Sequence, residues 1–182
     1  MKFKRIMALA TLMFLIPGSG ALAQNTQPTT NAPAVKPEKF KDWELFCPER
    51  KDANAPQVCE IRTVIVSDKG QRLGALVVAA EAGNADSQMI ASALLPLGVD
   101  LTFQPTLAAG TGKPIALKFL RCLQRGCEAM TALSADQQTV LRAGSQAKVA
   151  VGIGAGKTAT FDFSLAGFSA AHDALKKRTG AQ

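Results

Sequence analysis

The sequence predicts an all-β fold, a single antiparallel β-sandwich or flattened barrel, immunoglobulin-like in general architecture, with one or two short helices. Two observations carry that expectation. Apolar and polar residues alternate in many short runs, and turn chemistry falls between the runs at regular intervals. The clearest run has Phe161, Phe163 and Leu165 interleaved with Thr160, Asp162 and Ser164. Successive side chains of a strand point to opposite faces, so this is a half-buried antiparallel strand. Similar runs occupy Trp43 to Phe46, Val58 to Val66, Leu73 to Ala80, Met89 to Leu95, Val99 to Phe103, Ile115 to Cys122, Ala129 to Leu133 and Ala147 to Ile153. Between them stand Ser67 to Gly70, Gly83-Asn84, Leu95 to Gly98, Gly110 to Pro114 and Gly154 to Lys157, each carrying the residues turns require.

Only two segments read as helix. Ser134 with Gln137 three residues later forms a capping-box pattern that Gly144 closes. A second helix is expected from about Ser169 to Lys177, with Ala171 and Leu175 four apart and Lys176, Lys177 and Arg178 near the negative end of its dipole. Both are short enough to cap the β-structure.

The chain opens with Lys2, Lys4 and Arg5, continues through the apolar run Ile6 to Ile16, and reaches small residues ending in Ala21, Leu22 and Ala23. That order is a cleavable export signal over residues 1–23, with cleavage between Ala23 and Gln24. Its 11-residue apolar run is well short of the roughly 20 residues that span a bilayer. No Cys follows the small residues, and no later stretch is long and apolar, so neither a lipid anchor nor a transmembrane segment is expected in the mature chain. Residues 24–39 are rich in Pro, Thr and Asn and cannot bury enough surface to offset their ordering entropy, so they should form a flexible tether. The folded domain is expected over 40–178, with a disordered tail at 179–182.

Three of the 21 basic residues lie in the leader, so 18 remain against 14 acidic ones, a balance of +4. That modest and scattered charge gives no case for nucleic-acid binding. The four cysteines, Cys47, Cys59, Cys122 and Cys127, travel to an oxidising compartment, where disulfides are expected. Three pairings are possible. The local one, Cys47 with Cys59 and Cys122 with Cys127, is favoured because Leu123 to Gly126 form a short turn that brings two strand ends within bridging reach. A zinc site would want His beside close Cys pairs, and a redox site would want C-x-x-C at a helix start; the sequence has neither.

Catalytic chemistry finds little footing. His172 is the only histidine, and as position i+4 from Phe168 it should edge the core face of the last helix. Gly152 to Lys157 lacks the spacing and the following helix of a phosphate loop and reads as a hairpin turn. Asp42, Glu44, Glu49, Asp52 and Glu60 alternate with basic residues as a solvated face would. With no tyrosine and one tryptophan, Trp43, an aromatic carbohydrate platform is poorly supported. No enzyme activity, cofactor or metal is expected.

Several pieces together resemble the invasion-associated locus B family of bacterial cell-envelope proteins. They are Asp42-Trp43 followed by Cys47, then Cys59-Glu60, Leu95-Pro96-Leu97-Gly98-Val99, Phe119 to Cys127, and Ser164-Leu165-Ala166-Gly167-Phe168 before the last helix. The resemblance runs from about Phe40 to Lys177 and departs at Lys41, where glycine is expected before Asp-Trp. It implies a periplasmic or envelope-associated protein with a β-sandwich-like domain. The export signal, the expected disulfides and the lack of a catalytic constellation lead separately to the expectation of a non-enzymatic protein acting through surface interactions with a protein or an envelope component. Outer-membrane association and secretion are the alternative locations, and some family members take part in host-cell invasion. The competing functional expectations are a periplasmic thiol-disulfide protein and a small-ligand carrier that uses a barrel interior.

Overall fold

Nearly every backbone polar group of a β-domain must find a partner in a ladder, and here the ladders form two antiparallel sheets. The computed structural model describes residues 36–50, 52, 54–66, 72–81 and 88–180. The leader with its Ala23 and Gln24 junction, the tether as far as residue 35, and the turns at Ser67 to Gly70 and Gly83-Asn84 lie outside these residues.

The hairpin of β1 (Glu38–Phe40) and β2 (Trp43–Phe46) starts the larger sheet, which continues as a meander through β3 (Val58–Val66), β4 (Arg72–Glu81) and β5 (Ile90–Leu95). The chain then crosses to the smaller sheet for β6 (Thr106–Ala109) and β7 (Ile115–Ala116). It returns with β8 (Lys118–Leu123) and β9 (Gly126–Ala132), and then forms α1 (Ala135–Ala143). The hairpin of β10 (Gln146–Gly152) and β11 (Thr158–Ser164) and the helix α2 (Phe168–Thr179) complete the domain. Strand order is β1-β2-β3-β4-β5-β9-β8 in the seven-stranded sheet and β11-β10-β6-β7 in the four-stranded one.

Alternation sets the inner face of each strand. In β4, Leu76, Val78 and Ala80 are buried while Ala75, Val77 and Ala79 are half-buried on the other side. The inward residues of both sheets, Leu141 of α1, and Phe168 and Leu175 of α2 make one core. No closed barrel forms among the described residues, and side chains fill the space between the sheets. The described residues therefore offer no barrel interior for a carrier to use.

Three segments differ from expectation. Val99 to Phe103 is a turn whose only ladder contact is the bridge of Asp100 with Gly152. Asp100 Oδ1 accepts the Thr102 backbone N–H at 2.9 Å and its hydroxyl at 2.7 Å, which also holds the carboxyl below its ordinary pKa. These local bonds outcompete the strand that the alternation imitates. The run from Ile115 to Cys122 divides between the sheets: β7 pairs with β6, β8 pairs with β9, and Leu117 N–H bonds Pro105 O at 2.8 Å at the crossing. Strand β6 carries no aromatic residue and only one β-branched residue, Thr106; Leu107 and Ala109 recruit it by entering the core. Helix α1 has both halves of its capping box, Gln137 N–H to Ser134 Oγ at 3.2 Å and Ser134 N–H to Gln137 Oε1 at 2.8 Å.

Lys41 is the first of two residues linking β1 to β2 and has φ of 54°. A two-residue hairpin turn gives glycine that kind of position, because a Cβ strains there. The left-handed conformation costs lysine more than glycine's extra chain entropy does. Lys41→Gly should therefore raise stability by about 0.5–1 kcal/mol. The check is a higher denaturant midpoint at unchanged m-value.

Candidate functional site

With the inner face of the seven-stranded sheet committed to the core, its outer face presents rows of side chains defined by the register. One row runs Glu44, Arg62, Val77, Ser92, Met130, Lys118; another runs Val64, Ala75, Leu94, Glu128, Arg121. Their middle is apolar and half-exposed. Two depressions of about 410 and 230 Å³ lie on this face and share Ala75, Val77, Leu94 and Arg125, so together they form one groove across the strands.

Charges rim the groove. Arg62 stands 3.7 Å from Glu44, 3.6 Å from Glu60 and 5.3 Å from the centre of the Phe46 ring. Glu128 is held on both oxygens, by the Ser92 hydroxyl at 3.0 Å and by Arg121 Nε at 3.1 Å. Arg72 and Arg125 also line the groove, and neither forms an ion pair or side-chain hydrogen bond with a described residue.

The cysteines lie at the borders of this sheet. Cys47 is bonded to Cys59, one step beyond the Phe46–Glu60 pair, with Cα atoms 4.3 Å apart. Cys122 is bonded to Cys127, its direct cross-strand neighbour, with Cα atoms 3.9 Å apart. Cys122 is exposed and Cys127 buried, so the second bridge anchors the β8–β9 hairpin from its edge inward.

His172 lies on the opposite side of the molecule's chemistry. Only 1% exposed, it packs against Phe168 in α2 with ring centres 5.7 Å apart. Gln138 Nε2 donates to Leu133 O at 3.3 Å, which turns the amide oxygen toward the ring, and His172 Nε2–H donates to that oxygen at 3.0 Å. Nδ1 is buried without a hydrogen-bond partner; Asp173 Oδ1, at 3.7 Å, is too far to serve. Burial and the nearby Arg142 cation push the imidazole pKa down, Asp173 opposing and Lys176 assisting.

Two distant segments meet beside this helix. Trp43 Nε1 donates to Ser164 O at 2.9 Å, Asp42 N–H reaches Ala166 O at 3.3 Å, and the Trp43 and Phe168 rings pack edge to face at 4.9 Å. Gly167, with φ of 90°, passes so close to Phe40 O that any side chain there would collide with it. The profile of the invasion associated locus B (IalB) protein family matches residues 43–176, a span that starts at Trp43 and takes in Ser164 to Phe168. The chain belongs to that family. Invasion protein B homologs of Brucella abortus, strains 2308 and 9-941, are each 26% identical over 179 residues, covering 97% of this chain and 92% of theirs. The crystal structure of invasion associated protein B from Bartonella henselae shares the fold, with a TM-score of 0.67 at 24% identity over 78% of this chain and 96% of that one.

In this IalB family member, the residues that carried the resemblance mostly serve packing. Arg72 and Arg125 escaped sequence reasoning because β5 and β9 must be placed before they share a groove. Only the alternation of β3 and β4, which names the outward residues, pointed toward that face.

The buried imidazole gives the IalB fold a pH dependence. Unfolded histidine takes up a proton near pH 6.5, whereas the folded one resists until a lower pH, so stability falls as pH drops below about 6.5. Melting temperature measured from neutral pH downward should decline over that window. His172→Gln, which retains a donor toward Gln138 without titrating, should decline less steeply; identical slopes would remove His172 from the account.

Proposed function

We propose that this protein is an exported, non-enzymatic component of the cell envelope that works through the outer face of its seven-stranded sheet, binding a protein or an envelope component. The observation that carries this reading is the half-exposed apolar groove through Ala75, Val77 and Leu94, with Arg72 and Arg125, unpaired among the described residues, beside it. An apolar patch rimmed by charge is the usual form of a recognition surface. Family membership supports the same reading, because the relatives are invasion proteins by name. The non-enzymatic part rests on the only histidine being turned into the core and held by Gln138. Export rests on the Lys2 to Ala23 leader and on four cysteines that are all bridged.

Two measurements test the proposal. N-terminal sequencing of protein from the periplasmic fraction should begin at Gln24; a chain beginning at Met1 would refute export by cleavage. In intact cells, a photo-crosslinking residue at Ala79 on the outer face should capture a discrete adduct, while the same residue at Ala116 on the smaller sheet should not. Adducts of equal yield from both positions, or from neither, would remove the outer face as the working surface.

A further inference from the structure

We propose that the groove on the outer sheet face binds a single-chain anionic phospholipid, with the phosphate between Arg72 and Arg125 and the acyl chain along Ala75, Val77 and Leu94. This inference rests on the outer face being the working surface and names what occupies it.

The two arginines come to one end of the sheet. Arg72 opens β4 and Arg125 stands in the turn just before β9, and both line the same depression. Only β5 separates the two strands, so at the usual strand spacing the two backbones lie about 10 Å apart. Two extended guanidinium side chains can close on a phosphate across that span, and their forked donors suit its oxygens.

Four carboxylates line the groove, Asp42, Glu44, Glu60 and Glu128, and three of them are paired with arginine. Glu128 is bound by Arg121 and Ser92, and Glu44 and Glu60 share Arg62. Against them stand Lys41, Arg62, Arg72, Arg121 and Arg125, so the lining carries an excess of positive charge, and it calls for an anion.

The floor decides between a lipid and an acidic peptide. Backbone N–H and C=O groups of β4 are paired with β3 and β5, so the sheet has no main-chain partners to offer on this face. A peptide lying across Ala75, Val77 and Leu94 would leave its own amides unpaired against apolar surface. An acyl chain carries no such groups and gains from the same contact. The groove crosses several strands, from Arg62 on β3 to Leu123 on β8, which is the elongated form a single chain fills.

Isothermal titration of the full mature chain with monomeric palmitoyl lysophosphatidylglycerol tests the proposal. Binding is expected, and the Arg72→Gln/Arg125→Gln double variant should lose roughly tenfold in affinity per arginine. Ala75→Asp, placed on the solvent face where it leaves the core untouched, should abolish binding, with an unchanged melting temperature showing that the fold persists. Equal affinity for palmitoyl lysophosphatidylcholine would overturn the role of the arginines. Equal affinity for inorganic phosphate would overturn the role of the floor. Absence of binding, or an unchanged double variant, would overturn the whole assignment. If the lipid fails while Ala79 still yields a discrete protein adduct, this inference falls and the outer-face reading stands.

Discussion

The hydrogen bond from Trp43 Nε1 to Ser164 O ties the second strand of the chain to the last one, 121 residues away. A fully buried indole must satisfy its one donor, and here a carbonyl at the end of β11 does so. The edge-to-face contact with Phe168 then sets where α2 begins, and α2 in turn lies over β2, β3 and β4. The left-handed Gly167 permits this close approach, because a Cβ at that point would occupy the space of Phe40 O. Much of the inner face is arranged around this one junction. The outer face is left to solvent and to whatever binds there.

How legible this was depended on range. The capping box of α1 is a contact three residues long and is written directly in Ser134 and Gln137. Strands β2 and β3 show in their alternation because both have one wet and one dry face. Val99 to Phe103 misleads for the same reason that β6 hides. In the first, an Asp100–Thr102 turn carries strand-like alternation, and in the second a real strand made of small residues is fixed by pairing with β10. The groove was the least legible feature. Its arginines are far apart in sequence, and only the strand order β4-β5-β9 brings them to one groove.

The residues that mark the family and the residues that form the groove are largely different sets. Asp42, Trp43, Gly167 and Phe168 join elements, and the four cysteines fasten strand neighbours. The side chains of Arg72, Ala75, Val77 and Arg125 line the groove instead of the core. A fold can hold its first set constant while the second varies, which is how one scaffold comes to serve different surfaces.

The Cys47–Cys59 bridge also bears on mechanics. A load pulling the chain from before Glu38 would unzip β1 from β2 and then draw β2 away from β3, breaking ladder bonds one at a time. The bridge sits one step past Phe46, so that peeling meets a covalent bond before it reaches β3. A molecule held by its N-terminal end would surrender at most its first hairpin under tension, while β4 and β5, which carry the apolar floor of the groove, stay in place.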